Sequence, residues 1–213
     1  MKNKLIDNVI LANMDWYLPN LYSFLKNLDI TTIINNVSRY VIDLNREIVN
    51  NINTSSYVDS YIYTKTTFNN PMYHAKLEDK EINTRIEKYY TTYHQALQKL
   101  INDKLSHFNK IYLIDLHSFG KDIDEDVVLG NQKGKTFNKE YTLLIKSTLE
   151  SLNFKVSLNT PYSGGYIIKK YSNNKVETLQ LELSYKKYID NRDFVNEEFP
   201  KINKKLFIET QKN

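Results

Sequence analysis

The chain contains no cysteine, which excludes disulfides, thiolate catalysis and cysteine-ligated zinc. Only five glycines and four prolines punctuate its 213 residues, and no period suggests repeats. No apolar run is long enough to span a membrane. The opening Met-Lys-Asn-Lys-Leu-Ile-Asp lacks the apolar core and small-residue cleavage site of a secretory signal. The formal net charge is only +4, with Lys and Arg scattered among Asp and Glu, so no basic stripe points to nucleic acid. These absences predict a soluble, cytoplasmic protein with neither a nucleic-acid nor a membrane partner.

What is there fits one domain over residues 1–213 with a sizeable core. Residues 15 to 28 place Trp16, Leu21, Phe24, Leu25 and Leu28 at helical spacing, with Pro19 in the first turn. Residues 31 to 37 and 40 to 44 read as two short extended segments. Residues 50 to 78 are polar and Tyr/Thr-rich, an excursion of the kind that serves as a lid or binding loop. Residues 78 to 108 carry a long amphipathic pattern. A strand over residues 111 to 118, a helix over 138 to 152 and strands near 155–158, 166–170 and 177–184 follow. A final amphipathic helix covers about 196 to 211. Helices alternating with strands indicate a layered α/β fold with a largely buried sheet.

The strand Ile111-Tyr112-Leu113-Ile114-Asp115-Leu116-His117-Ser118 is nearly unbroken apolar until it delivers Asp and His at its carboxyl end. That end of a strand is where open α/β sheets bind ligands. A lone strand histidine is more often a hydrogen-bonded structural residue. Here Asp115 and His117 are two apart and point the same way, so a carboxylate can orient the ring or complete a metal site. In Thr178-Leu179-Gln180-Leu181-Glu182-Leu183-Ser184 the polar residues alternate, so Gln180, Glu182 and Ser184 share a face. Glu182 reads as a polar residue on the outer face of an edge strand, or as a rigidly held general base.

Arg39 and Arg46 bracket an apolar stretch. They are salt-bridge partners or a bidentate clamp for an anionic substrate. Asn159-Thr160-Pro161-Tyr162-Ser163-Gly164-Gly165 is a turn whose glycines allow close backbone approach to a ligand, making Asn159 and Gly165 candidate contacts; a plain hairpin explains them equally. Gly130-Asn131-Gln132-Lys133-Gly134-Lys135-Thr136 resembles a phosphate loop, but its glycines stand one residue too close and no apolar strand runs straight into it.

Taken in order, seven stretches resemble the N-formylglutamate amidohydrolases, a zinc-dependent α/β family. They are residues 14–22, 38–46, 93–94, 115–118, 126–130, 159–166 and 180–182. The resemblance implies a three-layer sandwich on a mostly parallel or mixed central sheet, like the zinc exopeptidases of the carboxypeptidase type. It implies hydrolysis of N-formyl-L-glutamate, a small anionic N-acyl amino acid, to formate and glutamate in histidine breakdown. On this resemblance His117 and Asp15 are zinc ligands and Glu182 is the general base. Arg46, with Arg39 and Arg85, holds the substrate carboxylates. The family's opening Pro-His-Ser-Gly segment has no counterpart here, which predicts an N-terminally truncated chain. The alternatives are an amidohydrolase for another N-acyl amino acid or peptide, or a non-catalytic member with an incomplete metal site.

Overall fold

Four strands build one sheet in the order β1-β4-β2-β3: β1 is Ile111–Phe119, β2 Val127–Gly130, β3 Val156–Leu158 and β4 Val176–Ser184. The structure is a computed structural model and describes residues 4–49 and 60–190. β1 pairs parallel with β4, and β2 pairs parallel with β3, while β2 and β4 run antiparallel. The fold is therefore mixed α/β on a mostly parallel sheet. β4 lies inside the sheet rather than at its edge, so the edge-strand reading of Glu182 gives way to a central position.

The chain falls into two compact units. The first holds Met1–Met14 and Asn35–Asp103, the second Asp15–Ile34 and Lys104–Asn213. The sheet belongs to the second. There, β4 is anchored by Val176, Leu179 and Leu183, which are fully or nearly fully buried. Its buried Thr178 is satisfied twice, by its N–H to Thr136 O at 2.7 Å and its hydroxyl to Ile168 O at 2.7 Å. A buried hydroxyl without such partners would cost free energy.

Helix α4, Lys139–Ser151, starts where Asn138 accepts hydrogen bonds from the N–H groups of Glu140 and Tyr141, a side-chain N-cap. It packs on β3. Helix α5, Tyr166–Tyr171, packs on β4 and β1. Residues 166–170 are thus helical rather than extended. The run Tyr-Ile-Ile favours strand by local preference, but Ile167, Ile168 and Tyr171 are buried together at helical spacing and packing on β4 prevails.

The predicted helix over 15–28 is broken in two. Tyr17 takes a left-handed φ of 57° ahead of the four-residue α1, Leu18–Leu21, and a 3-10 turn, Ser23–Asn27, follows. Residues 31–37 form no strand. β2 escaped the sequence reading because it is a short all-buried run, Val-Val-Leu-Gly, with no polar alternation to reveal its period.

One long helical stretch follows, as its periodicity predicts. It runs through α2, Asp79–Arg85, a π-helical segment, Ile86–Thr91, and α3, Thr92–Leu105. Residues 40–44 are turns rather than a strand. Val41 N–H closes on Ser38 O at 2.9 Å, and Asn45 N–H donates to Asp43 Oδ1 at 2.8 Å, a local bond that competes with a ladder. Residues 60–78 are irregular apart from isolated bridges. The predicted helix over 196–211 and residues 50–59 of the predicted excursion lie outside the described residues.

Candidate functional site

The parallel register of β1 on β4 pairs Asp115 with Gln180 and His117 with Glu182. Paired residues on neighbouring strands project to the same face, with strands about 4.8 Å apart. His117 and Glu182 therefore share one face at the carboxyl end of both strands, as their sequence pattern predicts.

His117 is held between two carboxylates. Its Nε2 lies 3.0 Å from Asp115 Oδ2 and its Nδ1 lies 3.3 Å from Asp15 Oδ2. Burial by itself would disfavour the imidazolium, but Asp115 and then Asp15 outweigh it and hold the ring well above the ordinary histidine range. Asp15 also closes the open edge of β1. Its Oδ1 accepts the Ser118 backbone N–H at 2.7 Å, a donor that an edge strand would otherwise leave without a ladder partner.

Two tyrosines flank this cluster. The buried Tyr188 donates its hydroxyl to Trp16 O at 3.0 Å. Burial pushes its phenol up, with Asp15 and Glu182 adding to the shift. Tyr22 is pushed up in the same way, by burial first and then by Glu182 and Asp15. Both therefore stay neutral donors beside the carboxylates. Neither was singled out from the sequence, where seventeen tyrosines give no signal for two.

Glu182 is fixed by Gln180, whose Nε2 donates to Glu182 Oε1 at 2.6 Å. Gln180 Oε1 in turn accepts the Gly165 N–H at 2.6 Å. Gly165 thus joins the cluster through its backbone. Asn159 acts elsewhere. At a φ of 58° its Oδ1 accepts the N–H groups of Asn131 and Lys133, both at 3.0 Å. It lines a cavity of about 290 Å³ with Asn131, Thr142 and Leu158. None of Asp15, His117 or Glu182 lines that cavity.

The three arginines belong to the first unit. Arg85 is buried and engaged: Nη1 donates to Val41 O and to the Tyr73 hydroxyl, each at 3.1 Å, and Nη2 pairs with Glu81. Arg39 donates to Asn13 O at 3.0 Å and lies 3.6 Å from Asp43. Arg46, like Arg39, has a buried Nε with no hydrogen-bond partner, and its carbonyl accepts the Tyr90 hydroxyl at 2.9 Å.

Nε2 of His117 faces Asp115 and its Nδ1 faces Asp15. Among the described residues no group of three or more His, Cys, Asp or Glu side chains could hold a metal ion. Catalytic zinc typically keeps about three protein ligands.

A family model described as N-formylglutamate amidohydrolase matches residues 4–189. Two curated proteins named N-formylglutamate deformylase, from Pseudomonas aeruginosa and Pseudomonas putida, are each 25% identical to the chain. Both alignments cover 84% of this chain and 72% of the relative. The crystal structure of N-formylglutamate amidohydrolase from Ralstonia eutropha JMP134 is similar with a TM-score of 0.72 at 22% identity. That match covers 93% of this chain and 80% of the other.

Proposed function

Since this chain belongs to the N-formylglutamate amidohydrolase family, we propose that it hydrolyses N-formyl-L-glutamate to formate and L-glutamate. The observation that carries the reading is the pairing of His117 with Glu182 on one face of the sheet. A water attacks the formyl carbon, and the Glu182 carboxylate takes its proton as the C–O bond forms. The C–N bond then breaks, and that proton goes to the departing amine of glutamate. Among the arginines, Arg46 is the favoured clamp for a substrate carboxylate, because a guanidinium reads carboxylates bidentately and those of Arg39 and Arg85 already face Asp43 and Glu81.

Zinc is the cofactor we propose on the family reading, taken on His117 and Asp15. A metal ion and a proton compete for the same ring nitrogen, so carboxylates that favour a protonated ring also favour a cation in its place. This pair falls short of a full ligand set, and no step is derived through the ion. The same shortfall favours the second reading, a family member that keeps the fold without catalysis. The carboxypeptidase-like three-layer architecture and a cytoplasmic location belong to the proposal as well.

Competition kinetics across N-formyl, N-acetyl and peptide derivatives of glutamate and of neutral amino acids test the substrate. Preference for N-formyl-L-glutamate supports the reading. Preference for another acyl group or a neutral side chain would replace it with a related amidohydrolase, and turnover of none would favour the non-catalytic member.

A further inference from the structure

We infer that Gln180 is a positioning residue that aims the Glu182 carboxylate and ties it to the Gly164–Gly165 turn, an inference that rests on the proposed role of Glu182 as base. Gln180 is nearly fully buried in the middle of the central strand. A buried amide must satisfy both its oxygen and its NH2. Usually the two ends of a glutamine side chain are interchangeable, and only the surroundings decide which way it faces. Here they decide it. The Gly165 backbone N–H can only donate, so it claims Oε1 at 2.6 Å. The NH2 is thereby turned to Glu182 Oε1, also at 2.6 Å. That bond fixes the carboxylate on the face it shares with His117.

The turn that imposes this orientation is itself pinned. Gln132 N–H donates to Ser163 O at 2.8 Å, and its Nε2 donates to Ser163 O at 3.1 Å and Gly164 O at 2.6 Å. Gly164 has a φ of 103°, and a Cβ there would collide with the Ile168 side chain. Turn, amide and carboxylate form one relay: Gln132 fixes the turn, Gly165 fixes the flip of Gln180, and Gln180 fixes Glu182.

The test uses the full chain with Gln180→Glu and Gln180→Met, each alone and combined with Glu182→Gln. Gln180→Glu keeps an acceptor for Gly165 but sets a second carboxylate against Glu182, whereas Gln180→Met removes both bonds. Each single variant should lower kcat for formate release by about 10- to 100-fold with KM within about twofold, as expected for a misaimed group. In the Glu182→Gln background neither should reduce the residual rate further, because the effect passes through Glu182. Equal losses in both backgrounds, or an undiminished kcat, would overturn the inference. If Glu182→Gln alone retains the wild-type rate, the assignment of the base fails instead. Positioning is then decided by a crystal structure of whichever Gln180 variant folds: a displaced Glu182 carboxylate supports it, and an unmoved one overturns it.

Discussion

His117 and Glu182 stand at paired positions on adjacent parallel strands, β1 and β4, with Asp115 and Gln180 paired two residues earlier. Each member of the first pair is held by its own strand neighbour on the same face. Asp115 holds His117 at 3.0 Å, and Gln180 holds Glu182 at 2.6 Å. An imidazole and a carboxylate are thus delivered together by backbone register, each in a fixed orientation, before any ligand arrives.

Asp15 joins this pair from outside the sheet, and its removal should affect stability as well as chemistry. Asp15→Ala leaves the Ser118 N–H without its 2.7 Å acceptor and should destabilise the chain by about 1–3 kcal/mol. Asp15→Asn keeps an acceptor oxygen and should lose less. Urea unfolding of the two variants checks the order, and equal losses would contradict the bond's role.

A second prediction concerns the glycine turn. A Cβ on Gly130 would meet Gly164 N at 2.6 Å and Ser163 C at 2.8 Å, both backbone atoms that a rotamer change cannot move. Gly130→Ala should therefore lower stability by about 1–3 kcal/mol. It should also lower formate release, because the displaced turn carries Gly165 away from Gln180. Thermal unfolding alongside the assay tests both parts; an unchanged midpoint would argue against the close approach.

Much of this site is legible in the sequence. The alternation in 178–184 announces a strand with Gln180 and Glu182 on one face, and the two-residue spacing of Asp115 and His117 places them together. The amide flip of Gln180 is not legible there, since it depends on a backbone N–H fifteen positions earlier. Tyr166–Tyr171 misleads because its β-branched pair speaks for strand while packing on β4 makes it helix. Residues 38–46 mislead for another reason. Their apolar stretch is real, but Ile42, Tyr40 and Leu44 are buried through turns, with the Tyr40 hydroxyl donating to Ala12 O at 2.6 Å.

The first unit yields a pH prediction. Glu81 is held below the usual carboxylate range chiefly by its hydrogen bond to Lys4, against an opposing burial effect, with Arg85 helping. A carboxyl with a lowered folded pKa stabilises above its unfolded pKa, and that stability is lost as pH falls through the folded value. Glu81→Gln should therefore flatten the loss of stability below about pH 5 relative to wild type. Parallel acid limbs for the two proteins would contradict the ion-pair account.

Metal dependence is separable from these. A divalent chelator should reduce formate release, zinc should restore it, and Asp15→Asn should lower the zinc retained after dialysis without unfolding the chain. Activity indifferent to chelation would remove zinc from the proposal.

The most direct test is formate release from N-formyl-L-glutamate by the wild type and by Glu182→Gln, measured side by side on folded protein. Loss of the proton acceptor should cost at least about 100-fold in kcat with an unchanged melting temperature. Equal rates in the two proteins would contradict the central claim that Glu182, set opposite His117, is the base.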